Sequence, residues 1–485
     1  MNMAFDMNNF KKWSTWFFCI MLQFPLFLSA QDNQRPNIIL IVSDDHGTDA
    51  LGSYGNSVIK TPALDNLAKD GVQFNNAFCT SSSCSPSRSV ILTGMYNHAN
   101  GMYGLEHSYH HFSSLKEVES LPVKLSKEGY KTVRIGKYHL APESVYAFDE
   151  SLSEGKANNN DALGRSPVEM ADICKSIFSS DDKKPFFLYF CTDDPHRGLP
   201  FDSWPGPNPF GNRTKGYPGV KEVTYKPEEV LVPDFLPDNE FTRKELAQYY
   251  QSVSRMDQGV GRLVENLKKE GLYDNTVIVY ISDNGIAFPG AKTTLYDPGM
   301  KLPCIVKLPN QKNKSSVTEA MVSWVDITPT LLDFAGVTSK KLHGKSFKDV
   351  LYSPSLYDGR DTIFASHSLH EITMYYPMRV IRTKKYKFIW NIAYGLKYPF
   401  AWDLIESTTW KGAMLQDSVK YADRKVNDFL HRPEFELYDL ENDPGEHINI
   451  ADNEEYSALV NELKLKTKTF QKNTNDPWFH KWKYE

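Results

Sequence analysis

The fold is decided by one short stretch near the start of the chain, NIILIV at residues 37–42, followed at once by SDDHG at residues 43–47. The first part is a continuous run of apolar and β-branched residues, which is typical of a strand buried on both faces in a parallel sheet covered by helices. The second part breaks that run with polar residues. The stretch therefore predicts a central strand with Asp44 and Asp45 at its carboxyl end.

Similar apolar runs recur along the chain and alternate with segments whose apolar residues have helical spacing. Further central strands are predicted at residues 132–135, 186–191 and 276–281, and helices at residues 61–69, 121–127, 167–178 and 242–269. This alternation predicts an α/β fold with a large, mostly parallel central sheet lying between helices.

The chain divides into three predicted regions. Two lysines, an apolar run and small residues predict a signal peptide at residues 1–30. Residues 31–360 are the predicted catalytic domain. Shorter strand-like pieces and a final helix near residues 456–470 then predict a smaller C-terminal α+β subdomain, residues 361–485, with an antiparallel sheet.

The composition is that of an ordinary globular protein. The 485 residues include 55 Lys and Arg against 60 Asp and Glu, a net charge of −5, which argues against a nucleic-acid partner. No stretch after the signal approaches the roughly 20 apolar residues of a membrane helix, so no membrane association is expected. The short signal predicts export and, without a dense disulfide framework, favours a bacterial periplasm; secreted and lysosomal locations stay open.

Polar residues follow each predicted strand, and in open α/β sheets such residues converge on one crevice. Lys137 and His139 follow the second strand, DDPHR at residues 193–197 follows the third, and Asp283 and Asn284 follow the fourth. We therefore expect carboxylates, histidines and cations to meet at one edge of the sheet.

The two acidic motifs have a shared chemistry. Asp44, Asp45, Asp283 and Asn284 all offer hard oxygen donors, the ligand set of Ca²⁺ or Mg²⁺ rather than of zinc. The alternative is that both motifs form turns or caps, which Asp and Asn favour. Their common position at strand ends favours a cation site, and the cation could be calcium.

One cysteine lies in a distinctive motif, CSPSRSVILTG at residues 84–94. Cys84 is either a small buried residue or a potential nucleophile at a helix N-terminus beside the cation of Arg88. Of the 6 cysteines, Cys19 lies within the predicted signal, which leaves an odd number, so at least one cannot be in an intramolecular disulfide. The spacing contains no CxxC pair, and structural zinc is not expected.

Taken together, these motifs resemble those of type I sulfatases, in the alkaline-phosphatase-like superfamily. The resemblance covers nearly all of the chain after the signal and rests on RPN at 35–37, CSPSRSVILTG at 84–94, GKYH at 136–139, Pro195-His196, SDNG at 282–285 and Lys292. Within the family the chain is most similar to the sulfamidase subgroup, the N-sulfoglucosamine sulfohydrolases. That similarity rests on NGMYGLEH at 100–107, HHF at 110–112, DPHR at 194–197, RMDQGVG at 255–261, SDNGIAFP at 282–289, HEITMYYPMR at 370–379, ELYDLENDP at 436–444 and DPW at 476–478.

The resemblance implies two groups that the sequence does not itself encode. A maturation enzyme would convert Cys84 to formylglycine (3-oxoalanine), which would account for the odd thiol. One Ca²⁺ would be held by Asp44, Asp45, Asp283, Asn284 and the converted Cys84.

It also implies a catalytic set: Cys84, Arg88, Lys137, His139, His196, Asp283 and Lys292. The hydrated formylglycine would attack sulfur, activated by Asp283, while His196 protonates the leaving amine. His139 would then take a proton from residue 84 as sulfate is expelled. The three cationic side chains and Ca²⁺ would offset the repulsion between an anionic substrate and the nucleophile.

Substrate recognition is expected from residues in the subgroup-like segments. Lys292, where the subgroup tends to have Arg, is expected to bind the sulfate. Four residues are candidates for hydrogen bonds to the terminal sugar, with a structural role as the alternative for each: Asp194, Arg197, His370 and Glu371. The histidines within residues 107–111 are assigned to a loop rim rather than to a metal.

The favoured prediction is an exo-acting sulfamidase that removes the N-sulfate of a non-reducing-end N-sulfoglucosamine in heparin or heparan sulfate fragments. The alternatives are an exo O-sulfatase acting on a related glycosaminoglycan sugar and a phosphodiester or phosphonate hydrolase of the same superfamily. A further alternative is a secreted calcium-dependent glycan binder in which Cys84 stays a thiol. The resemblance weakly suggests a homodimer.

Overall fold

A mixed sheet runs through the centre of the protein, seen in a computed structural model that describes residues 35–153, 163–182, 184–198, 209–355, 359–416 and 419–484. Its strands are β1 (Asn37–Ser43), β2 (Val72–Phe78), β3 (Lys131–Gly136), β4 (Glu150–Ser151), β5 (Phe186–Cys191), β6 (Thr276–Ser282), β7 (Cys304–Lys307) and β8 (Ser316–Ser323). They lie in the order β4-β3-β5-β1-β6-β7-β2-β8, and all neighbours are parallel except at β7.

A smaller antiparallel sheet follows in the C-terminal region. Its strands are β9 (Thr362–His367), β10 (Met378–Thr383), β11 (Tyr386–Asn391) and β14 (Phe435–Asp439), and a short pair is formed by β12 (Lys420–Tyr421) and β13 (Arg424–Lys425). The small sheet packs through Trp390 and Leu437 against Val460 and Leu463.

The α-helices surround these sheets. They are α1 (Pro62–Asp70), α2 (Cys84–Thr93), α3 (Asn97–Asn100), α4 (Leu121–Lys127), α5 (Pro167–Ile173), α6 (Lys175–Phe178), α7 (Glu240–Lys269), α8 (Asp297–Met300), α9 (Ile327–Phe334), α10 (Lys348–Tyr352), α11 (Trp402–Ile405), α12 (Thr408–Gln416), α13 (Val426–Leu430), α14 (Ser457–Asn473) and α15 (Lys481–Tyr484). None of the helices in the described part of the chain is both long and apolar enough to cross a membrane.

The alternation of side chains along β1 explains why this strand organises the core. Leu40 and Val42 enter one hydrophobic cluster, together with residues of α2, α4 and α9. Ile39 and Ile41 enter a second cluster, together with residues of α1, α5 and α7. Because helices cover both faces, every residue of β1 is buried, as its continuous apolar pattern predicts.

The predicted fold class is confirmed, with differences in detail. The helix predicted at residues 167–178 is broken into α5 and α6 at Cys174. Four strands of the described central sheet were not predicted: β2, which carries polar residues in its middle, β4 and β7, which have only two and four residues, and β8, which is largely exposed in its first half. The predicted signal at residues 1–30 lies outside the described residues, and the boundary at residues 360 and 361, just before β9, stays a prediction.

Candidate active site

The ends of β1 and β6 meet because the two strands pair in parallel, with Ser43 opposite Ser282. Asp283 N donates a hydrogen bond to Ser43 O at 3.1 Å, and Asp45 N donates to the Asp283 carboxylate at 3.1 Å. The two acidic motifs, more than two hundred residues apart in sequence, therefore share one edge of the sheet.

The backbone around these acids is held in uncommon conformations. Asp45 has a φ of 64°, in the left-handed region, which costs free energy unless the surroundings enforce it. The hydroxyl of Tyr249 donates to Asp45 O at 2.8 Å and helps to fix this turn. A Cβ on Gly285 would lie 2.1 Å from Pro298 O, so only glycine permits the close approach of the loop after β6 to α8.

The acidic residues form a group that could hold a metal ion. Asp44, Asp45 and Asp283 each place a carboxylate oxygen within 4.8 Å of the others, and all three are fully buried. The side-chain oxygen of Asn284 is also buried and has no hydrogen-bond partner. Burial raises the pKa of Asp45 to about 6, and burial together with the charge of Asp44 raises that of Asp283 to about 7. A cation bound here would satisfy the free oxygen and favour the ionised carboxylates.

Each buried carboxylate also faces a cation: Arg88 Nε lies 2.9 Å from Asp283, Lys292 Nζ lies 2.9 Å from Asp45, and Lys137 Nζ bonds to Asp44. Burial alone would raise the pKa of Asp44, but Lys137, Arg88 and Lys292 hold it below its ordinary value. The negative charges of the three ionised carboxylates and the positive charges of the three cations cancel. An added divalent cation would therefore leave the cluster positive, which suits an anionic substrate.

The first residue of α2 brings the cysteine to this cluster. Cys84 is 2% exposed, and its Sγ lies 3.5 Å from Asp44 Oδ1. Ser87, one turn later, donates to Asp283 O at 2.5 Å and ties the helix to the loop after β6. Burial raises the pKa of the Cys84 thiol well above its ordinary value, so an unmodified thiol would stay protonated and react poorly at neutral pH.

Three partly exposed histidines lie beside the buried cluster. A ring nitrogen of His196 lies within 4.8 Å of both Asp44 and Cys84, and its Nε2 is 3.7 Å from Asp45. The ring of His139 packs against that of His107 with centroids 4.5 Å apart. Burial and nearby cations lower the pKa of His139 and of His196 well below the ordinary value, and Nδ1 of each histidine has no hydrogen-bond partner.

Two of the predicted sugar-binding residues make buried ion pairs instead of facing an opening. Asp194 is fully buried and pairs with Arg165 at 3.0 Å and with Arg255 at 2.6 Å. Arg197 is 2% exposed, and both its terminal nitrogens lie 2.9 Å from the carboxylate of Glu245. These placements favour the structural alternative for Asp194 and Arg197.

The other two candidates lie in the loop between β9 and β10. His370 Nδ1 is 2.8 Å from the hydroxyl of Ser83, the residue before Cys84. The carboxylate of Glu371, which is partly exposed, accepts a hydrogen bond from Trp402 N at 3.2 Å. The structure thus brings His370 next to the cysteine helix and Glu371 next to α11.

Two residues at the site were not among the predicted catalytic, binding or metal residues. Asp403, in α11, places its carboxylate 3.2 Å from Lys292 Nζ and within ligand distance of Asp45 and His196. The residue lies in an irregular aromatic-rich region that offers no strand end or motif to mark it. His107 was assigned to a loop rim, and its contact with His139 places it at the site as well.

The architecture is alkaline-phosphatase-like, as comparison with solved structures shows. A protein solved with its substrate D-glucosamine-2-N,6-O-disulfate matches with a TM-score of 0.66 at 23% identity, covering 92% of this chain and 99% of that one. The phosphonate monoester hydrolase of Agrobacterium radiobacter matches with a TM-score of 0.63 at 20% identity, covering 91% and 96%. At these identities the likeness defines the fold.

The chain belongs to the sulfatase family, whose model matches residues 36–337. A second model, described as the C-terminal part of N-sulphoglucosamine sulphohydrolase, matches residues 290–409. Human N-sulphoglucosamine sulphohydrolase is 38% identical over 466 residues, 92% of this chain and 91% of that protein. An ulvan-active sulfatase of Formosa agariphila is 30% identical over 445 residues, 90% of this chain and 80% of that protein. The predicted resemblance to sulfatases and to the sulfamidase subgroup is confirmed.

Proposed function

We propose that this protein hydrolyses the N-sulfate of non-reducing-end N-sulfoglucosamine in heparin or heparan sulfate fragments. The observation that carries the proposal is the 38% identity to a sulfamidase over 92% of the chain. The match of residues 290–409 to the C-terminal sulfamidase model supports it, because this part of the chain includes Lys292 and Asp403 at the site. A protein of the same fold was solved with a glucosamine that carries both an N-sulfate and an O-sulfate.

The described residues fit the two groups that sulfatases use. Asp44, Asp45, Asp283 and Asn284, with residue 84, would hold a calcium ion, which would supply positive charge beside the reacting sulfate. Residue 84, converted to formylglycine by a maturation enzyme, would supply a hydrated aldehyde oxygen as the nucleophile. The high pKa of the unmodified Cys84 thiol supports a need for this conversion.

The cationic side chains bind and orient the anionic groups. Lys292, whose Nζ bridges Asp45 and Asp403, would bind a sulfate oxygen. Arg88 and Lys137 are buried and both pair with Asp44, whose carboxylate lies 3.5 Å from Cys84 Sγ, so they would hold the nucleophile in place. Fixed positive groups of this kind are each typically worth about 10²- to 10³-fold in rate.

Protons are handled by the carboxylate and the histidines. Asp283, held by Arg88, would take the proton from the attacking oxygen. His196 would give a proton to the leaving amine, and the negative charge of bound substrate favours its protonated form. His139, neutral in the free protein because burial lowers its pKa, would take a proton from residue 84 as sulfate is released.

We also infer how the protein meets its partners. His370 and Glu371 are the predicted sugar contacts that lie beside the cysteine helix and α11, and Glu371 is partly exposed. The motif at Cys84 implies a maturation enzyme, and residues 1–30 imply export, for which a bacterial periplasm is favoured. A homodimer is proposed from the family resemblance alone.

The proposal is tested by sulfate release from N-sulfoglucosamine and from 6-O-sulfo-N-acetylglucosamine, measured side by side. The protein is made in a host that converts the cysteine, and conversion is checked by mass spectrometry. We expect release from the N-sulfated sugar and little from the O-sulfated one. Release from the O-sulfated sugar alone would make the protein an O-sulfatase, and turnover of a phosphodiester alone would assign it to the phosphonate and phosphodiester hydrolases.

A further inference from the structure

A carboxylate from the C-terminal half of the chain reaches the catalytic cluster. Asp403 Oδ2 lies 3.2 Å from Lys292 Nζ, and its side chain is 13% exposed, against 1% for the lysine. Asp403, Asp45 and His196 each place a possible ligand atom within 4.8 Å of the others. Asp403 therefore stands beside the histidine proposed to protonate the leaving group, at the partly open side of the site.

Two anchors hold this carboxylate in place. On one side, Glu245 accepts hydrogen bonds from Thr408 N at 2.9 Å and from Thr409 N at 3.1 Å, just after α11, while also pairing with Arg197. On the other side, Glu371 accepts from Trp402 N at 3.2 Å. Arg197 follows His196 directly, so one buried ion pair connects the histidine loop with the segment that carries Asp403.

The apolar side of α11 adds a further support. Leu404, directly after Asp403, and Ala401, two residues before it, pack with Met374 in a small buried cluster that anchors the segment. The carboxylate of Asp403 pairs with Lys292 and lies within 4.8 Å of a ring nitrogen of His196. Its position is defined before any substrate arrives, which is the condition for discrimination between similar substrates.

The two rival sulfated sugars differ at the atom that this carboxylate would meet. In a sulfamate the bridging atom is an N–H, a hydrogen-bond donor, whereas in a sulfate ester it is an oxygen that only accepts. A carboxylate accepts hydrogen bonds and repels another acceptor. A carboxylate next to the leaving-group histidine therefore favours bridging nitrogen over bridging oxygen.

We propose that Asp403 is a specificity-determining residue that selects N-sulfated over O-sulfated sugars, an inference that rests on the proposed function. Asp403 accepts a hydrogen bond from the bridging N–H of the bound sulfamate. When the sulfur–nitrogen bond breaks, its electron pair stays on nitrogen, and nitrogen takes the proton of His196 to become a neutral amine. The amine gains a further proton from water, and Asp403 then faces an ammonium group.

The kinetic test compares wild type with Asp403→Asn on N-sulfoglucosamine and on an aryl sulfate. Loss of one charged hydrogen-bond acceptor should lower kcat/KM for the N-sulfated sugar by about 10- to 100-fold. The aryl sulfate, which has no N–H, should change by less than about threefold or improve. Glu406→Gln is the matched control, because Glu406 lies in the same segment and pairs with Lys411. Thermal unfolding shows whether each variant is folded.

A binding test avoids dependence on the converted cysteine. With unconverted protein, titration calorimetry compares glucosamine, which carries the ammonium group, with N-acetylglucosamine, which does not. Wild type should bind glucosamine with a dissociation constant about tenfold lower than that for N-acetylglucosamine, and Asp403→Asn should lose this difference. The control Glu406→Gln should keep it.

The outcomes separate this inference from the proposed function. If wild type hydrolyses the aryl sulfate but not N-sulfoglucosamine, the proposed function fails. The calorimetry then shows separately whether Asp403 gives the site its preference for glucosamine over N-acetylglucosamine. If Asp403→Asn lowers kcat/KM equally for both substrates, the residue only positions Lys292 and the inference is overturned. Unchanged kinetics, or equal binding of the two sugars by wild type, would overturn it too.

Discussion

The floor of the site and its rim are built in different ways. The floor consists of buried residues at strand ends, on α2 and in the loop between β6 and α8: Asp44, Asp45, Cys84, Arg88, Lys137, Asp283, Asn284 and Lys292. The rim consists of partly exposed residues on loops and on the short helix α11: His107, His139, His196 and Asp403. Floor residues balance one another's charge out of water, whereas rim residues have free ring nitrogens or an open side. We therefore expect the floor to set the reaction and the rim to select and protonate the leaving group.

The largest expected effect comes from removing the nucleophile on the floor. Cys84→Ala should abolish sulfate release, a loss of at least about 10³-fold, because it removes the side chain proposed to become the nucleophile. The fold should persist, since alanine fits at the start of α2. Cys174→Ala, which removes a buried thiol in the second hydrophobic cluster, is the control and should keep its activity.

If Cys84→Ala protein still released sulfate, the floor would not carry the nucleophile at residue 84. Ion chromatography measures the released sulfate, and mass spectrometry of the parent protein shows whether residue 84 is converted. Survival of activity would overturn the formylglycine mechanism, whereas a parent protein that binds the glycan but releases no sulfate would favour the calcium-dependent glycan binder.

The next effect concerns the carboxylates of the floor. Calcium at 100 times its dissociation constant should stabilise the fold by about 2.7 kcal/mol, and chelation should remove both this gain and the activity. Asp45→Asn should lose the calcium-dependent rise in Tm, since it removes one of the buried carboxylates. Differential scanning fluorimetry with and without calcium measures this.

Asp423→Asn, which lies outside the cluster, should respond to calcium as wild type does. An equal calcium response in Asp45→Asn and wild type would place the cation elsewhere. It would also leave the buried, unpartnered oxygen of Asn284 without an explanation.

On the rim, the effect should depend on the leaving group. His196→Ala should slow hydrolysis of N-sulfoglucosamine by about 10²- to 10⁴-fold, because an amine leaves poorly without a proton. An aryl sulfate whose phenol leaves without help should be slowed far less. Steady-state kinetics measures the loss of rate for each of the two substrates. Equal slowing would mean that His196 contributes to the reaction at the buried floor rather than to protonation of the leaving group.

The smallest effect on catalysis is expected at the support below the rim, where a substitution changes the stability of the fold instead. Burial alone would raise the pKa of Glu245, but Arg197 and the hydrogen bonds from Thr409 and Thr408 lower it to about 2. Since the folded pKa lies below the unfolded one, the stabilisation is present above about pH 4.5 and is lost as the pH falls towards 2. Glu245→Gln should cost about 3 kcal/mol at pH 7 and flatten the acid dependence.

Urea unfolding between pH 3 and 7 checks this, with Glu265→Gln as the control. Glu265 lies on the same helix and pairs with Lys269 at the surface. If the two variants lost the same stability, the Arg197–Glu245 pair would not support the segment that carries Asp403.

Much of the fold was predictable because β1, β5 and β6 are continuous apolar runs that can only be buried on both faces. Most of the predicted floor residues directly follow a strand or lie on α2, Lys292 lies further along the loop after β6, and the structure does bring them together. The strand β2 was not predictable, because polar residues interrupt its pattern; Asn75 and Asn76 stay partly exposed, beside a shift in the register with β8. The catalytic and metal-binding roles of the floor residues stay predictions.

The sequence by itself determined the strand-end acids, the cysteine motif and the family to which they belong. Local pattern suffices there, because parallel strands end at one edge whatever the loops do. Only the tertiary structure decided that Arg197 pairs with Glu245, that Asp194 is held by two arginines, and that Asp403 meets Lys292, 111 residues away. Such partners carry no local signal. The sequence around a charged residue is the same whether its side chain contacts solvent, substrate or a buried counter-charge, because only the folded chain brings the partner to it.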